Sequence, residues 1–220
     1  TFARAINAFL RWLHEEGHCP NLVKIPHLKE PETVVATFRP EHIQRLIEHR
    51  TNCRNRRRVQ TMALLILDTG LRLNEVLSLR VVDLDLDNLL ITIRDGKGGK
   101  QRMVPMSVDL RKILFKYLGQ IVPGSDLVFS SRDGDRLFQN NARRDFSALC
   151  GNLAISGVKG GFHVLRHTFA VNYIRNGGDV FRLQRILGHS TLEMTRRYVN
   201  LQTEDLQAVH SKLSVLSQRR

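Results

Sequence analysis

A chain of 220 residues, 42% hydrophobic and 25% charged, is long enough for one sizeable core with part of a second domain attached. No apolar run approaches the roughly 18 residues of a membrane-spanning helix, and no signal-peptide pattern opens the chain, so the expectation is a cytoplasmic protein. The 34 Lys and Arg against 21 Asp and Glu leave a net charge of +13, which points to a polyanionic partner, nucleic acid ahead of acidic lipid.

Phe2, Ile6, Phe9, Leu10 and Leu13 recur at spacings of three and four and predict an amphipathic helix, which Gly17 and Pro20 end. That helix has no entry signal, so upstream residues are expected to be missing. Residues 21–38, with Pro26, Pro31 and several charges, read as a linker, and residues 39–220 as the main domain. Pro40 and Glu41 suit the first turn of a helix over about 40–50. Further helices are expected through Met62 to Leu67 and around Asn74 to Leu79. Leu89 to Ile93 and Gln101 to Met106 flank Gly96-Lys97-Gly98-Gly99-Lys100, the pattern of a β-hairpin with a glycine-rich tip. Five or six more helices fill the rest, broken at paired or single glycines. The fold class expected is mainly α with a small antiparallel β-sheet.

Two features are set aside. Cys19, Cys53 and Cys150 are widely spaced with no CxxC pair, which suits reduced thiols better than a disulfide framework or a cysteine zinc site. His14-Glu15-Glu16-Gly17-His18 fits the HExxH pattern of zinc peptidases, but Gly17 weakens the helix that such a site needs and Cys19-Pro20 ends it.

The chemistry gathers in four segments. They are Thr69-Gly70-Leu71-Arg72-Leu73-Asn74-Glu75, the hairpin tip at Lys97, His163-Val164-Leu165-Arg166-His167, and Leu187-Gly188-His189-Ser190, with Tyr198 nine residues after His189. On a helix, His163 and Arg166 share a face. Two guanidinium forks can hold both non-bridging oxygens of a phosphodiester. A tyrosine hydroxyl becomes a nucleophile beside a base or in a positive field. Lysine can protonate a leaving alkoxide, and histidine can take or hold a proton near neutral pH. These are the parts of a metal-free phosphoryl transfer to tyrosine, and no carboxylate cluster resembling a Mg²⁺ site accompanies them.

In order and interval these motifs resemble the tyrosine recombinase (phage integrase) family from about Arg39 to Asn200. The resemblance implies that fold and a site-specific recombinase, or integrase, that cleaves and rejoins duplex DNA through a 3′-phosphotyrosyl bond, with neither ATP nor metal. It assigns Arg72 and Arg166 to the scissile phosphate, Lys97 to the general acid and His163 to the base. His189 becomes a donor to the phosphate, Tyr198 the nucleophile and Glu75 an acidic support. Lys100 and Arg102 stand close enough to Lys97 to compete for its role, and otherwise read as DNA contacts. His167 reads as structural.

Val164 and Leu73-Asn74 depart from common family residues, none at a catalytic position. Residues 1–20 resemble the end of the family's core-binding domain. Arg54, Arg56, Arg57 and Arg58 form a patch that reads as a solvated face or as a track for DNA phosphates. Leu206, Val209, Leu213 and Leu216 mark the 203–216 segment as a helix, either packed in cis or exchanged between neighbours in a homo-tetramer on two DNA sites. A type IB topoisomerase, or a non-catalytic DNA-binding regulator on the same fold, is the alternative.

Overall fold

The computed structural model describes residues 2–26, 36–94, 101–157, 160–196, 198 and 210. The chain divides into two compact units, Thr1–Val34 and Val35–Arg220. The first is built on α1 (Phe2–Glu15). Asn7 ties this helix to the segment after it: its side chain donates to the Ile25 carbonyl at 2.9 Å and accepts from the Ile25 amide at 2.8 Å. His18 lies beyond the end of α1, and His14 Nδ1 is bonded to the Cys19 carbonyl at 3.0 Å.

The second unit runs α2 (Pro40–Glu48), α3 (Arg54–Thr69), α4 (Leu73–Leu77), a 3₁₀ turn, then β1 (Leu84–Asp85), β2 (Leu90–Ile93) and β3 (Arg102–Pro105). It continues through α5 (Val108–Leu118), α6 (Gln139–Asn152), α7 (Phe162–Arg175), α8 (Val180–Leu187) and α9 (Glu193–Arg196). It is mainly α with a small antiparallel sheet, as its residues predict. α3 is buried all round from Arg58 to Ile66, the mark of a central helix, and packs against α5, α6 and α7. It begins at Arg54, earlier than its apolar run alone suggests, so the arginine patch forms its first turn.

The sheet has the order β1-β2-β3, antiparallel throughout. Ile91 and Ile93 alternate inward from β2, and Ile91 pairs with Val104. β1 has no counterpart in the sequence expectations, because two residues carry no periodicity. The hairpin tip, with Lys97 and Lys100, lies outside the described residues, as does the 203–216 segment apart from His210. Among the described residues, no helix is long and apolar enough to cross a membrane.

Two apolar clusters result among the described residues. The larger surrounds α3 and takes in the sheet, α5 and α6. The smaller lies between α7 and α8, where Ala170, Ile174, Leu183 and Leu187 enclose the ring of Tyr198.

Candidate active site

Two helix ends build one half of the site. α3 stops at Gly70 and α8 at Gly188, both left-handed, with φ of 66° and 61°. Glycine adopts this geometry without strain and frees the last carbonyls of each helix to face a donor. Side chains are also excluded for space. A Cβ at Gly70 would collide with the Phe169 ring, and one at Gly188 would come within 3.0 Å of the Arg102 guanidinium.

The carbonyls receive arginines. Arg166, 3% exposed, donates from Nη1 to Gly70 O at 2.6 Å and from Nη2 to Leu187 O at 2.8 Å. Arg72 donates from Nη2 to Gly188 O at 3.0 Å and from Nη1 to Glu75 Oε1 at 3.0 Å. The helix dipoles favour cations here, since both carbonyl sets lie at negative helix ends. Burial, then the neighbouring charge of Arg72, brings the Arg166 guanidinium down to about 9, which leaves it a cation at neutral pH.

Glu75 links this half to the sheet. Its buried carboxylate accepts the Arg72 amide at 2.9 Å and both Nη1 and Nη2 of Arg102, at 2.9 and 2.8 Å. Burial alone would raise its pKa, but the hydrogen bond and charge of Arg102, then those of Arg72, outweigh that and hold it below the ordinary value. Arg102 also donates from Nε to Ile186 O at 2.9 Å, and its side chain is only 12% exposed. Arg102, which the sequence offers as a DNA contact, thus stands in an inward ion pair, its guanidinium bonded to Glu75 and a helix-end carbonyl.

Histidines and the tyrosine form the other half. Tyr198 is 4% exposed, and its hydroxyl lies 2.6 Å from His167 Nδ1. The rings of His167 and of His163, one helical turn earlier, meet edge to face with centroids 4.2 Å apart. His189 stacks on Tyr198 at 6.4 Å and 15°, while its Nδ1 is bonded to Thr195 Oγ1 at 2.8 Å. Arg72, His163, Arg166, His189 and Tyr198 line one cavity of about 400 Å³. Asn74 and, from α6, Gln139 and Arg143 line it too. The α6 pair has no motif around it by which the sequence could single it out.

The sequence alone makes His167 structural, yet it touches the tyrosine hydroxyl. Its i, i+4 spacing from His163 is the signal that places both on one helical face. Of the arginine patch, Arg54 and Arg56 are exposed and Arg57 is bonded to Gln120 and to the Thr51 carbonyl. Arg58 is buried: it donates to Ser130 O at 2.8 Å and faces Asp145 at 3.6 Å. Among the described residues, no three His, Cys, Asp or Glu gather as a metal-ligand cluster.

The sequence profile of the phage integrase family matches residues 36–205. A tyrosine recombinase XerA of Saccharolobus solfataricus is 31% identical over 212 residues, covering 94% of this chain and 65% of its own length. The crystal structure of a XerA recombinase superposes with a TM-score of 0.70 at 26% identity, over 94% of this chain and 74% of that one. The catalytic domain of bacteriophage HP1 integrase is 32% identical with a TM-score of 0.59, over 84% of this chain and 98% of that domain. This chain thus spans just under two thirds of the curated relative. Since the family profile runs through both helix ends, the sheet and the tyrosine, the chain belongs to the phage integrase family.

Proposed function

We propose that residues 39–220 are the catalytic domain of a site-specific tyrosine recombinase acting on duplex DNA, and residues 1–20 the last helix of a core-binding domain joined by the 21–38 linker. One observation carries this reading: Tyr198 lines the same cavity as Arg72 and Arg166 of its own chain. A phosphodiester in that cavity meets two guanidiniums held in place by backbone carbonyls before substrate arrives. Charge developing on its non-bridging oxygens is then offset without reorganisation. The net charge of +13 favours a polyanion in the same place.

The Tyr198 oxygen attacks phosphorus, the bond to the 5′-oxygen breaks, and a 3′-phosphotyrosyl ester forms. A histidine of α7 takes the phenolic proton, a role the family resemblance gives to His163. Lys97 gives a proton to the leaving 5′-oxygen, and His189 donates to the phosphate. The ester is exchanged rather than hydrolysed, so a 5′-hydroxyl from a second strand rejoins the DNA with neither ATP nor metal. The enzyme works in the cytoplasm, as a homo-tetramer on two DNA sites, with the 203–216 segment exchanged between neighbours.

A nicked suicide substrate tests the reading, because loss of a short 5′ fragment prevents rejoining. The chain is expected to accumulate an SDS-stable DNA adduct in EDTA, and Tyr198→Phe to bind the same DNA without forming it. An adduct from Tyr198→Phe, or strict need for a divalent ion, overturns the proposal. Relaxation of supercoiled DNA without pairing of two sites would favour a topoisomerase, and binding with no adduct a regulator.

A further inference from the structure

The hydroxyl of Tyr198 has a partner, His167, to which the family resemblance gives no catalytic role. We infer that His167 is a catalytic residue, the group that holds the Tyr198 hydroxyl and takes its proton as the phosphodiester is attacked. The inference rests on the reading of Tyr198 as nucleophile and deepens it.

Geometry carries the argument. A general base has to stand within about 2.6–3.2 Å of the oxygen it deprotonates. His167 Nδ1 is 2.6 Å from Tyr198 Oη. With the ring proton on Nε2, Nδ1 accepts the phenolic hydrogen. The pair is fixed on both sides, for His167 is 9% exposed on the central part of α7 and Tyr198 is packed against α7 and α8. A buried tyrosine–histidine pair in an ordinary core has no further business, but Tyr198 lines a cavity together with Arg72, Arg143 and Arg166. Arg166, next to His167 in sequence, interacts electrostatically with Tyr198. His163 is exposed at the cavity, one turn from His167, and meets it edge to face.

The step balances. Oη forms a bond to phosphorus while its proton passes to Nδ1, giving a His167 imidazolium. The P–O5′ bond breaks, and the leaving oxygen takes a proton from the general acid assigned to Lys97. Rejoining runs the same transfers backward, with His167 returning the proton to Oη as the phosphotyrosyl bond opens.

The experiment is single-turnover cleavage of the suicide substrate by the full chain carrying His167→Ala, His167→Asn or His163→Ala. Each is made with tyrosine and with a fluorinated tyrosine at position 198, whose phenol ionises near neutral pH. Asn places an amide where Nδ1 stands, so it keeps the shape and a hydrogen bond yet takes no proton. Should His167→Ala fail to fold, His167→Asn decides alone. Both His167 variants are expected to cut about 100-fold more slowly with unchanged DNA affinity. Fluorination is expected to bring them to within about 10-fold of the fluorinated parent, because an acidic phenol needs little base. The inference is overturned if His167→Asn cuts at the parent rate, if fluorination leaves the His167 variants slow, or if it rescues His163→Ala instead. An adduct formed by Tyr198→Phe would remove the underlying reading instead, so the two failures are distinguishable.

Discussion

Arg72 and Arg166 are held by main-chain carbonyls at two helix ends, whereas the Tyr198 hydroxyl is held by a side chain. The carbonyls of Gly70, Leu187 and Gly188 are fixed by α3 and α8, and α3 is the centre of the larger apolar cluster. No single side-chain truncation removes them. Tyr198 sits in the smaller cluster, with His167 on its oxygen and His189 on its ring. The contrast teaches that the cation half is preorganised by the fold, while the tyrosine half depends on a few replaceable side chains. Changes in the first half should cost stability and cleavage together, and changes in the second should cost cleavage first.

The largest effect is expected from Arg166→Ala. It removes a buried cation and leaves Gly70 O and Leu187 O without their donor. Single-turnover cleavage should fall on the order of 10³-fold, as when a preorganised donor to a developing oxyanion is lost. Denaturant unfolding should register about 3 kcal/mol less stability, since charge-assisted hydrogen bonds are lost at a buried site. Arg166→Lys keeps the charge but not the fork, and should recover little of either.

Arg102→Ala sharpens the comparison because its guanidinium is held at the site by Glu75 and Ile186 O. Breaking this buried pair should cost about 3 kcal/mol in urea unfolding. Cleavage should fall with it, as Arg72 loses the fixed carboxylate that aims it. The salt dependence of DNA binding should stay as in the parent; a shallower dependence would mean that Arg102 reaches a phosphate.

Glu75→Gln adds a pH signature. The Glu75 carboxyl is held below its ordinary value of 4.5, so the stability it contributes is complete above that pH and is lost as pH falls through the lowered value. The variant should be roughly 2 kcal/mol less stable at neutral pH, in line with hydrogen bonds to a charged group. Its urea midpoint should also fall less steeply than the parent's below pH 4.5. Equal acid slopes in the two proteins would contradict this account of Glu75.

The smallest effects belong outside both halves. Arg54→Ala and Arg56→Ala change exposed side chains and should leave unfolding untouched. If these arginines track DNA, each substitution should flatten the log K against log salt slope by about 0.9 for every phosphate no longer neutralised. Arg58→Ala, from the same run, should instead destabilise the fold, because its guanidinium is buried against Ser130 O.

Much of this is legible in the residues. Gly188 marks a helix end, and Arg72, Arg166, His189 and Tyr198 stand at motif spacings, so the resemblance to the family implies their convergence on one cavity. Arg102 is not legible as an inward residue. It follows the glycine-rich tip on an edge strand, and its direction depends on Glu75 and on the missing Cβ of Gly188, both distant in sequence. His167 shows the same limit: its helical face is readable from His163, but the hydroxyl it meets lies 31 residues away. Arg58 looks like its three neighbours until the helix phase turns it inward.

The central claim is that Tyr198 attacks the phosphate held by Arg72 and Arg166, and peptide mapping of the trapped adduct tests it most directly. After suicide-substrate cleavage, the DNA-linked chain is digested with protease, and the peptide that stays on the 3′-phosphate is sequenced by mass spectrometry. The account predicts a phosphotyrosyl ester at Tyr198. An ester at any other residue, or a cleaved strand with a free 3′ end and no peptide attached, would contradict it.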